Sequence, residues 1–356
     1  MTPPTKRLGI KEIARIANVS RGTVDRALHG REGISEKARQ RILSIAQERG
    51  YKPNLAARTL VVGKAALSIG VCIPREIHFF FDQVRDGIME EARHYESVGI
   101  TLDYRPIQRF GMGEREKIRE ILTGGIKALI MAPGDPRLLA TLIDDVEKQR
   151  IHVVCVATDA PGTPRSTGIC SDPELNGRCA GELMGKFLPR EARVAVMTGI
   201  LRVSNHQREV QGFAEAFAHF SLGGQIVDIL EDHEHEEEAF KKCRALLRNA
   251  KRLDGIYVST ANCLPVCAAL QAAGVTEKVK LITTDLFPQM VPWFERGTIL
   301  ASIHQRPYLQ GQTAVRLIVD NLVNGLPFPP TRYLSPIPVL RSNLDSYREI
   351  TRTEIT

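Results

Sequence analysis

The sequence predicts a small all-α head joined to a larger α/β body built as two doubly wound, parallel-sheet lobes. Three observations predict it. Residues 1–64 hold 14 Lys/Arg against 5 Asp/Glu, a balance of +9, while the whole chain carries +7, so the rest carries −2. Apolar residues fall at helical spacing through that basic stretch. From residue 67 onward, short apolar runs alternate with amphipathic helical stretches. A chain of 356 residues also exceeds what one hydrophobic core usually organises.

Composition excludes several classes. Hydrophobic residues at 43% and charged residues at 25% describe an ordinary globular chain rather than a disordered one. No apolar run approaches a membrane span, and MTPPTKRLGIKE carries no signal-peptide core, so a cytoplasmic protein without membrane partners is expected. The seven cysteines are scattered without a CxxC pair, most within apolar stretches. They read as buried small side chains rather than as disulfides or zinc ligands.

The head reads element by element. Ile10, Ile13, Ala14 and Ala17 give a first helix with one buried face. Asn18 suits a tight turn that needs positive φ. Ser20 suits an N-cap for a second helix that buries Val24, Ala27 and Leu28 and presents Arg21, Thr23 and Arg26 outward. Two short helices so joined form a helix-turn-helix. Ser35 caps a third helix through Ile42, Ile45 and Ala46. A basic, regularly patterned module of this kind is the electrostatic footprint of nucleic-acid binding, and a generic three-helix cluster with solvated arginines is the alternative.

The run IKEIARIANVSRGTVDRALHGREGISEKARQRILSIAQERGYKPNLAARTLVVGK closely resembles the headpiece and hinge of the lactose-repressor family, through its VSxxTV core, ISEKARQRI helix and GYKPN exit. The resemblance implies a headpiece over 1–53, a hinge helix or linker over 54–65 and an effector-binding body over 66–356. It implies that Arg21, Gly22 and Arg26 face the major groove of double-stranded operator DNA. An arginine fork there can donate to a guanine, whereas Gly22 has no side chain to read with. Ser20, Thr23 and Lys11 are expected on phosphates, which set register. Asn54 would cap the hinge segment, with Ala57 on it and Leu60 wedging between base pairs in the minor groove; a plain linker is the alternative. Two heads reading a pseudopalindrome imply a homodimer.

Strands are expected at 67–73, 100–104, 128–132, 152–157, 193–197, 225–230, 254–258, 280–284 and 300–304. So many buried parallel strands suit two sheets better than one. The resemblance implies a periplasmic sugar-binding-protein fold, with lobe 1 over about 66–188 and 308–332 and lobe 2 over about 190–305 and 333–350. Ligands of such sheets bind beyond the strands' carboxyl ends.

Candidate ligand residues lie at those ends. By resemblance, Asp285 takes an effector-binding place, Gln305 that of a ligand-touching glutamine, and Asp159 lies near another acidic contact. Phe80 and Phe81, in HFFF (78–81), are placed to stack on a sugar's apolar face, with plain core as their alternative. Acceptors with aromatic rings suit a polyol, although an Asp at a strand–helix junction also serves as a cap. Two places depart from the family. Glu209 stands where a sensor arginine is usual, with Arg208 one residue earlier and taken here as the contact. Ser259-Thr260, with Asn262 nearby, replaces the usual Asn-Asp pair.

The acidic run EDHEHEEE (231–238) reads as a solvated helix start that complements the helix dipole, not as a metal site. Trp293 reads as packing. No phosphate-binding glycine loop precedes a helix and no GxSxG elbow occurs. The expectation is a regulator, a repressor, that needs no cofactor or metal and answers to a small sugar-like effector; an α/β enzyme with an accessory DNA-binding head is the competing reading.

Overall fold

The computed structural model describes residues 10–28, 33–48 and 67–347. The hinge candidates Asn54, Ala57 and Leu60 lie outside the described residues, as does the boundary drawn around 53–66.

In the head, α1 (Ile10–Ala17), α2 (Arg21–Leu28) and α3 (Glu36–Glu48) enclose one small core. Ile13, Ala14 and Ala17 meet Val24 and Ala27 of α2 and Ile42 and Ala46 of α3. Asn18 turns the chain at φ 54°, which its short polar side chain tolerates. The Val19 amide then donates to the Ala14 carbonyl at 3.0 Å. Ser20 Oγ accepts from the Thr23 amide at 3.1 Å, and Ser35 Oγ from the Ala38 amide at 3.3 Å, so both serines cap their helices.

The body begins with β1 (Leu67–Cys72), α4 (His78–Arg93), β2 (Ile100–Tyr104), α5 (Glu114–Leu122), β3 (Ala128–Met131), α6 (Pro136–Lys148), β4 (His152–Val156) and β5 (Thr167–Ser171). It continues with α7 (Pro173–Phe187), β6 (Arg193–Thr198), α8 (Ser204–Phe220), β7 (Gln225–Glu231), α9 (Glu236–Asn249), β8 (Gly255–Val258) and α10 (Cys263–Ala272). Next come β9 (Lys280–Thr284), α11 (Val291–Glu295), β10 (Ile299–His304), α12 (Pro307–Asn324), β11 (Thr331–Leu334) and β12 (Ile337–Leu340). The first sheet runs β11-β5-β4-β3-β1-β2 and is wholly parallel. The second runs β12-β10-β9-β8-β6-β7, with only β12 antiparallel.

All nine expected strands form. Three others, β5, β11 and β12, were not legible: β5 reads TGICS, and the last two are four-residue edge strands whose partly exposed faces break the apolar run. The central strands β3 and β8 are buried at every residue, because helices cover both faces of each sheet.

The chain crosses between lobes three times: at Asp172, at Gln305–Arg306, and between Leu334 and Ile337. The first crossing corrects the lobe 1 limit near 188. Asp172 follows β5 directly and caps α7, accepting from the Glu174 and Leu175 amides. From there α7 lies on α8, β9 and β10, with Ala180 and Met184 in the core of lobe 2.

Glycines set how tightly these crossings are anchored. A Cβ at Gly177 of α7 would stand 1.9 Å from the Glu209 carbonyl oxygen of α8, and one at Gly212 of α8 would stand 2.3 Å from that of Glu174. In lobe 1, a Cβ at Gly87 of α4 would stand 2.0 Å from the Tyr308 oxygen, and one at Gly311 of α12 would stand 2.1 Å from that of Val84. Each helix that arrives from the other lobe therefore seats backbone-to-backbone on the first helix of the lobe it enters.

Candidate ligand cleft and DNA-facing head

The carboxyl ends of both sheets meet around a cavity, open to solvent, with about 550 Å³ of empty space in and at its mouth. Lobe 1 contributes Ile77, Phe80, Phe81, Phe110, Ala157 and Thr158; lobe 2 contributes Asn205, His206, Glu209, Glu234, Ser259 and Asp285; Gln305 closes it at a crossing. Four of these residues, Ile77, Ala157, Glu234 and Asp285, hold positive φ (55°, 67°, 62° and 66°). For a β-branched residue such as Ile77 that is a strained conformation, and such strain gathers where a fold holds groups for a ligand.

Five sequence candidates come together here: Phe80, Phe81, Ser259, Asp285 and Gln305 all line the cavity. Asp285 is 1% exposed. Its Oδ1 accepts from the Gln305 amide at 3.2 Å and its Oδ2 from Gln305 Nε2 at 3.1 Å. Burial nevertheless lifts its carboxyl to about 7. Gln305 Oε1 accepts from Asn176 Nδ2 at 3.2 Å, and Asn176 Oδ1 accepts from Ser171 Oγ at 2.6 Å. The Asp172 amide donates to the Leu334 carbonyl at 3.3 Å. One polar chain thus ties all three crossings to the floor of the cavity, and Gln305 serves the hinge as well as the wall.

Three candidates fall elsewhere. Asp159 is turned away and ion-paired with Arg165, two side chains only 9% and 10% exposed. It also accepts from the Ala160 amide at 2.8 Å. Arg208 points outward. It donates to Tyr333 Oη at 3.0 Å and lies 3.9 Å from Asp172 and 3.7 Å from Glu174. The helical step explains the correction: on α8 it is Glu209, one position on, that faces the cleft. Asn262 stands behind the wall, donating to Asp232 Oδ2 at 3.1 Å.

The acidic run is also corrected. Glu236, Glu237 and Glu238 do open α9 as expected. Asp232 is instead fully buried, and its Oδ1 accepts from the Glu234 amide at 2.9 Å, fixing the turn that sends Glu234 into the cavity. The side chain of Glu234 is 5% exposed, with Oε1 3.8 Å from His206 Nε2 and Oε2 lacking any hydrogen-bond partner. Gly199 makes room for it, since a Cβ there would stand 2.4 Å from Glu234 Oε1.

The cavity is consequently rich in carboxyl groups. Burial lifts Glu209 to about 8, although Tyr257 Oη donates to its Oε1 at 2.5 Å. Burial and the neighbouring Asp232 push Glu234 well above the usual carboxylate range. Burial lowers His206 to about 4, so its ring is neutral at physiological pH. Its Nδ1 stands 2.9 Å from the Ile200 amide nitrogen and 3.2 Å from the Ile200 carbonyl oxygen, and its Nε2 faces Glu234. Among the described residues that line the cavity, none is lysine or arginine. No group of three or more His, Cys, Asp or Glu among the described residues is arranged to hold a metal.

On the head, Lys11, Ser20, Arg21 and Gly22 are exposed, and Thr23 is half-buried with its hydroxyl 2.8 Å from that of Ser20. Arg26 is half-buried, and its Nε is enclosed without a hydrogen-bond partner. Arg21 therefore offers the freer guanidinium of the two.

A helix-turn-helix head on a two-lobed body, with a polar and aromatic cavity between the lobes, defines a DNA-binding sensor. The chain belongs to the lactose-repressor family: residues 9–54 match the model of bacterial regulatory proteins of the lacI family, and residues 69–326 match that of a periplasmic binding protein domain. It is 26% identical over 337 residues to the ribose operon repressor of Halalkalibacterium halodurans, covering 92% of this chain and 94% of that one. The body shares the fold of a glucose-galactose binding protein from Geobacillus stearothermophilus, with a TM-score of 0.72, 23% identity, and coverage of 79% of this chain and 99% of that one. It shares it equally with a Caulobacter myo-inositol binding protein, with a TM-score of 0.73, 24% identity, and coverage of 80% and 97%.

Proposed function

We propose that this chain is a repressor that binds a pseudopalindromic operator as a homodimer and is controlled by a polyhydroxylated ring, a sugar or a cyclitol, held between its lobes. It acts in the cytoplasm by binding rather than turnover. The observation that carries the reading is a cavity walled by Phe80 and Phe81 on one lobe and by Ser259, Asp285 and Glu209 on the other, on a chain with a DNA-binding head. Aromatic faces suit the C–H side of a ring, and the polar wall suits its hydroxyls. The names of the relatives point the same way, since they include a repressor of a ribose operon and binders of hexoses and of myo-inositol.

The hinge chain suggests how occupancy reaches the head. A ligand that engages Asp285 competes with or orders Gln305, and Gln305 is tied through Asn176 and Ser171 to the other crossings. A ligand that binds the two lobe arrangements unequally then shifts their balance, and with it the spacing of paired heads. The cavity's imidazole is neutral and bonded to backbone, and the Ser259 hydroxyl donates to Thr198 at 2.8 Å rather than to a base, which favours binding over nucleophilic chemistry.

The test is a thermal-shift screen of the full chain against sugars and cyclitols. A ligand that binds only the folded state raises the melting temperature, by about 2.7 kcal/mol of stabilisation at one hundred times Kd. At least one member is expected to do so. A screen in which none does would remove sugar-like effectors from the account.

A further inference from the structure

We propose that the ligand of this cleft carries a protonated amine on its hydroxylated ring, with Glu234 as the ammonium's principal partner and Glu209 and Asp285 beside it. This deepens the effector reading above and rests on it.

The geometry carries the inference. Three carboxyl side chains, from α8, the turn before α9 and the end of β9, converge on one cavity that, among the described residues, no lysine or arginine lines. Two of them have partners: Glu209 accepts from Tyr257, and Asp285 accepts twice from Gln305. Glu234 does not. Its side chain is 5% exposed, and its Oε2 has no hydrogen-bond partner. A buried carboxylate oxygen left in that condition is costly unless a donor arrives or the group stays protonated. The Nε2 edge of the neutral His206 ring stands 3.8 Å from Glu234 Oε1, beyond hydrogen-bond distance.

The surrounding field has one sign. Asp232, Glu76, Asp285 and Glu209 all act on Glu234 in the direction of protonation, and His206 is held neutral. An ammonium reverses that: it brings three donors and a positive charge to a cavity that already contains the compensating acids. The hydroxyls of the same ring are left for Ser259, Asn205 and Thr158, and its C–H face for Phe80 and Phe81. The same arrangement opposes anions, so phosphorylated sugars and sugar acids fall outside the ligand class.

Amino sugars and aminocyclitols share this chemistry, and matched pairs distinguish them. The full chain is titrated at pH 7.5 with D-glucosamine, D-galactosamine and scyllo-inosamine, each against its neutral twin D-glucose, D-galactose or scyllo-inositol. N-acetyl-D-glucosamine serves as the uncharged amine derivative, and D-glucose 6-phosphate as the anion. At least one amine is expected to bind tenfold or more tightly than its twin, with proton release seen as a dependence of the calorimetric heat on buffer ionisation enthalpy. E234Q is expected to bring that amine to the level of its twin, with circular dichroism checking the fold; the proton-release measurement needs no variant. A neutral twin that binds as tightly as its amine, or an amine preference that survives in folded E234Q, would overturn the amine proposal and leave a sugar effector standing. Binding by no member of either series would overturn both.

Discussion

Glu209→Gln isolates the charge buried in the cleft and predicts a specific change in how stability depends on pH. Glu209 is 3% exposed, and its one short hydrogen bond comes from Tyr257. Its carboxyl stands at about 8 in the folded chain against an ordinary 4.5, chiefly through burial. Below about pH 4.5 both states hold the proton. Between there and pH 8 the unfolded chain has released it while the folded chain keeps it, so rising pH favours unfolding. Above pH 8 the folded state carries the buried charge and the slope from this group vanishes. At 1.36 kcal/mol per pKa unit the full difference is bounded at about 5 kcal/mol, and relaxation of the site reduces it to about 2–4 kcal/mol. Glutamine keeps the shape and can still accept from Tyr257 Oη, but it never charges. Urea melts of the full chain at pH 5 and pH 8.5 measure the effect. The variant should match the wild type within about 1 kcal/mol at pH 5 and exceed it by about 2–4 kcal/mol at pH 8.5. Equal pH dependence in the two proteins would refute the assignment of Glu209 as a buried, proton-holding group.

Other expectations follow from the same structure. Gly177→Ala places a Cβ 1.9 Å from the Glu209 backbone oxygen, so α7 and α8 must separate; a loss of about 1–3 kcal/mol in urea melts is expected. Asn176→Ala cuts the chain between Ser171 and Gln305 and should destabilise by about 1–3 kcal/mol, because buried Ser171 and half-buried Gln305 each lose a hydrogen bond. Phe80→Ala removes one aromatic wall of the cleft and should weaken a ring ligand by about tenfold or more in calorimetry. On the head, Arg21→Ala should relax preference at one operator position by about 1–3 kcal/mol. Lys11→Ala should instead weaken all DNA sequences alike and lower the salt slope by about one, with selection on randomised DNA and anisotropy titrations as the measurements.

The parts of this molecule that sequence made legible are those whose physics is local. The head's Asn18 turn, Ser20 cap and Ser35 cap each involve residues within four positions of one another, and all three stand as read. Seven of the nine expected strands, β1, β3, β4, β6, β8, β9 and β10, are central and announced themselves as apolar runs because helices bury them on both faces; β2 and β7 lie at sheet edges. Edge strands β11 and β12 did not, since half of their side chains face water or a crossing.

The site was legible in outline and wrong in detail for one reason: side-chain direction is set by tertiary placement. Phe80, Phe81, Ser259, Asp285 and Gln305 were reachable because strand ends point at the cleft. Arg208 and Glu209 differ by one helical step, and a run of letters cannot say which faces inward. The departure at Glu209 was itself the signal, an acid where a cation was expected, and it belonged to the cavity. Asp159 was misplaced because Arg165, six residues on, captures it from behind. Glu234 was hidden inside what reads as a solvated acidic run. Only the buried Asp232, the strained turn and the space left by Gly199 send it inward.

The central claim is that a ligand between the lobes sets the affinity of the head for DNA. Its most direct test is the operator dissociation constant of the full chain, measured by anisotropy on a selected operator while a cleft-binding ring compound is titrated. A shift of about fivefold or more is expected, in line with coupling of about 1–3 kcal/mol, and it should disappear in Phe80→Ala at the same ligand concentration. An operator affinity that stays constant while calorimetry shows the cleft filled would contradict it.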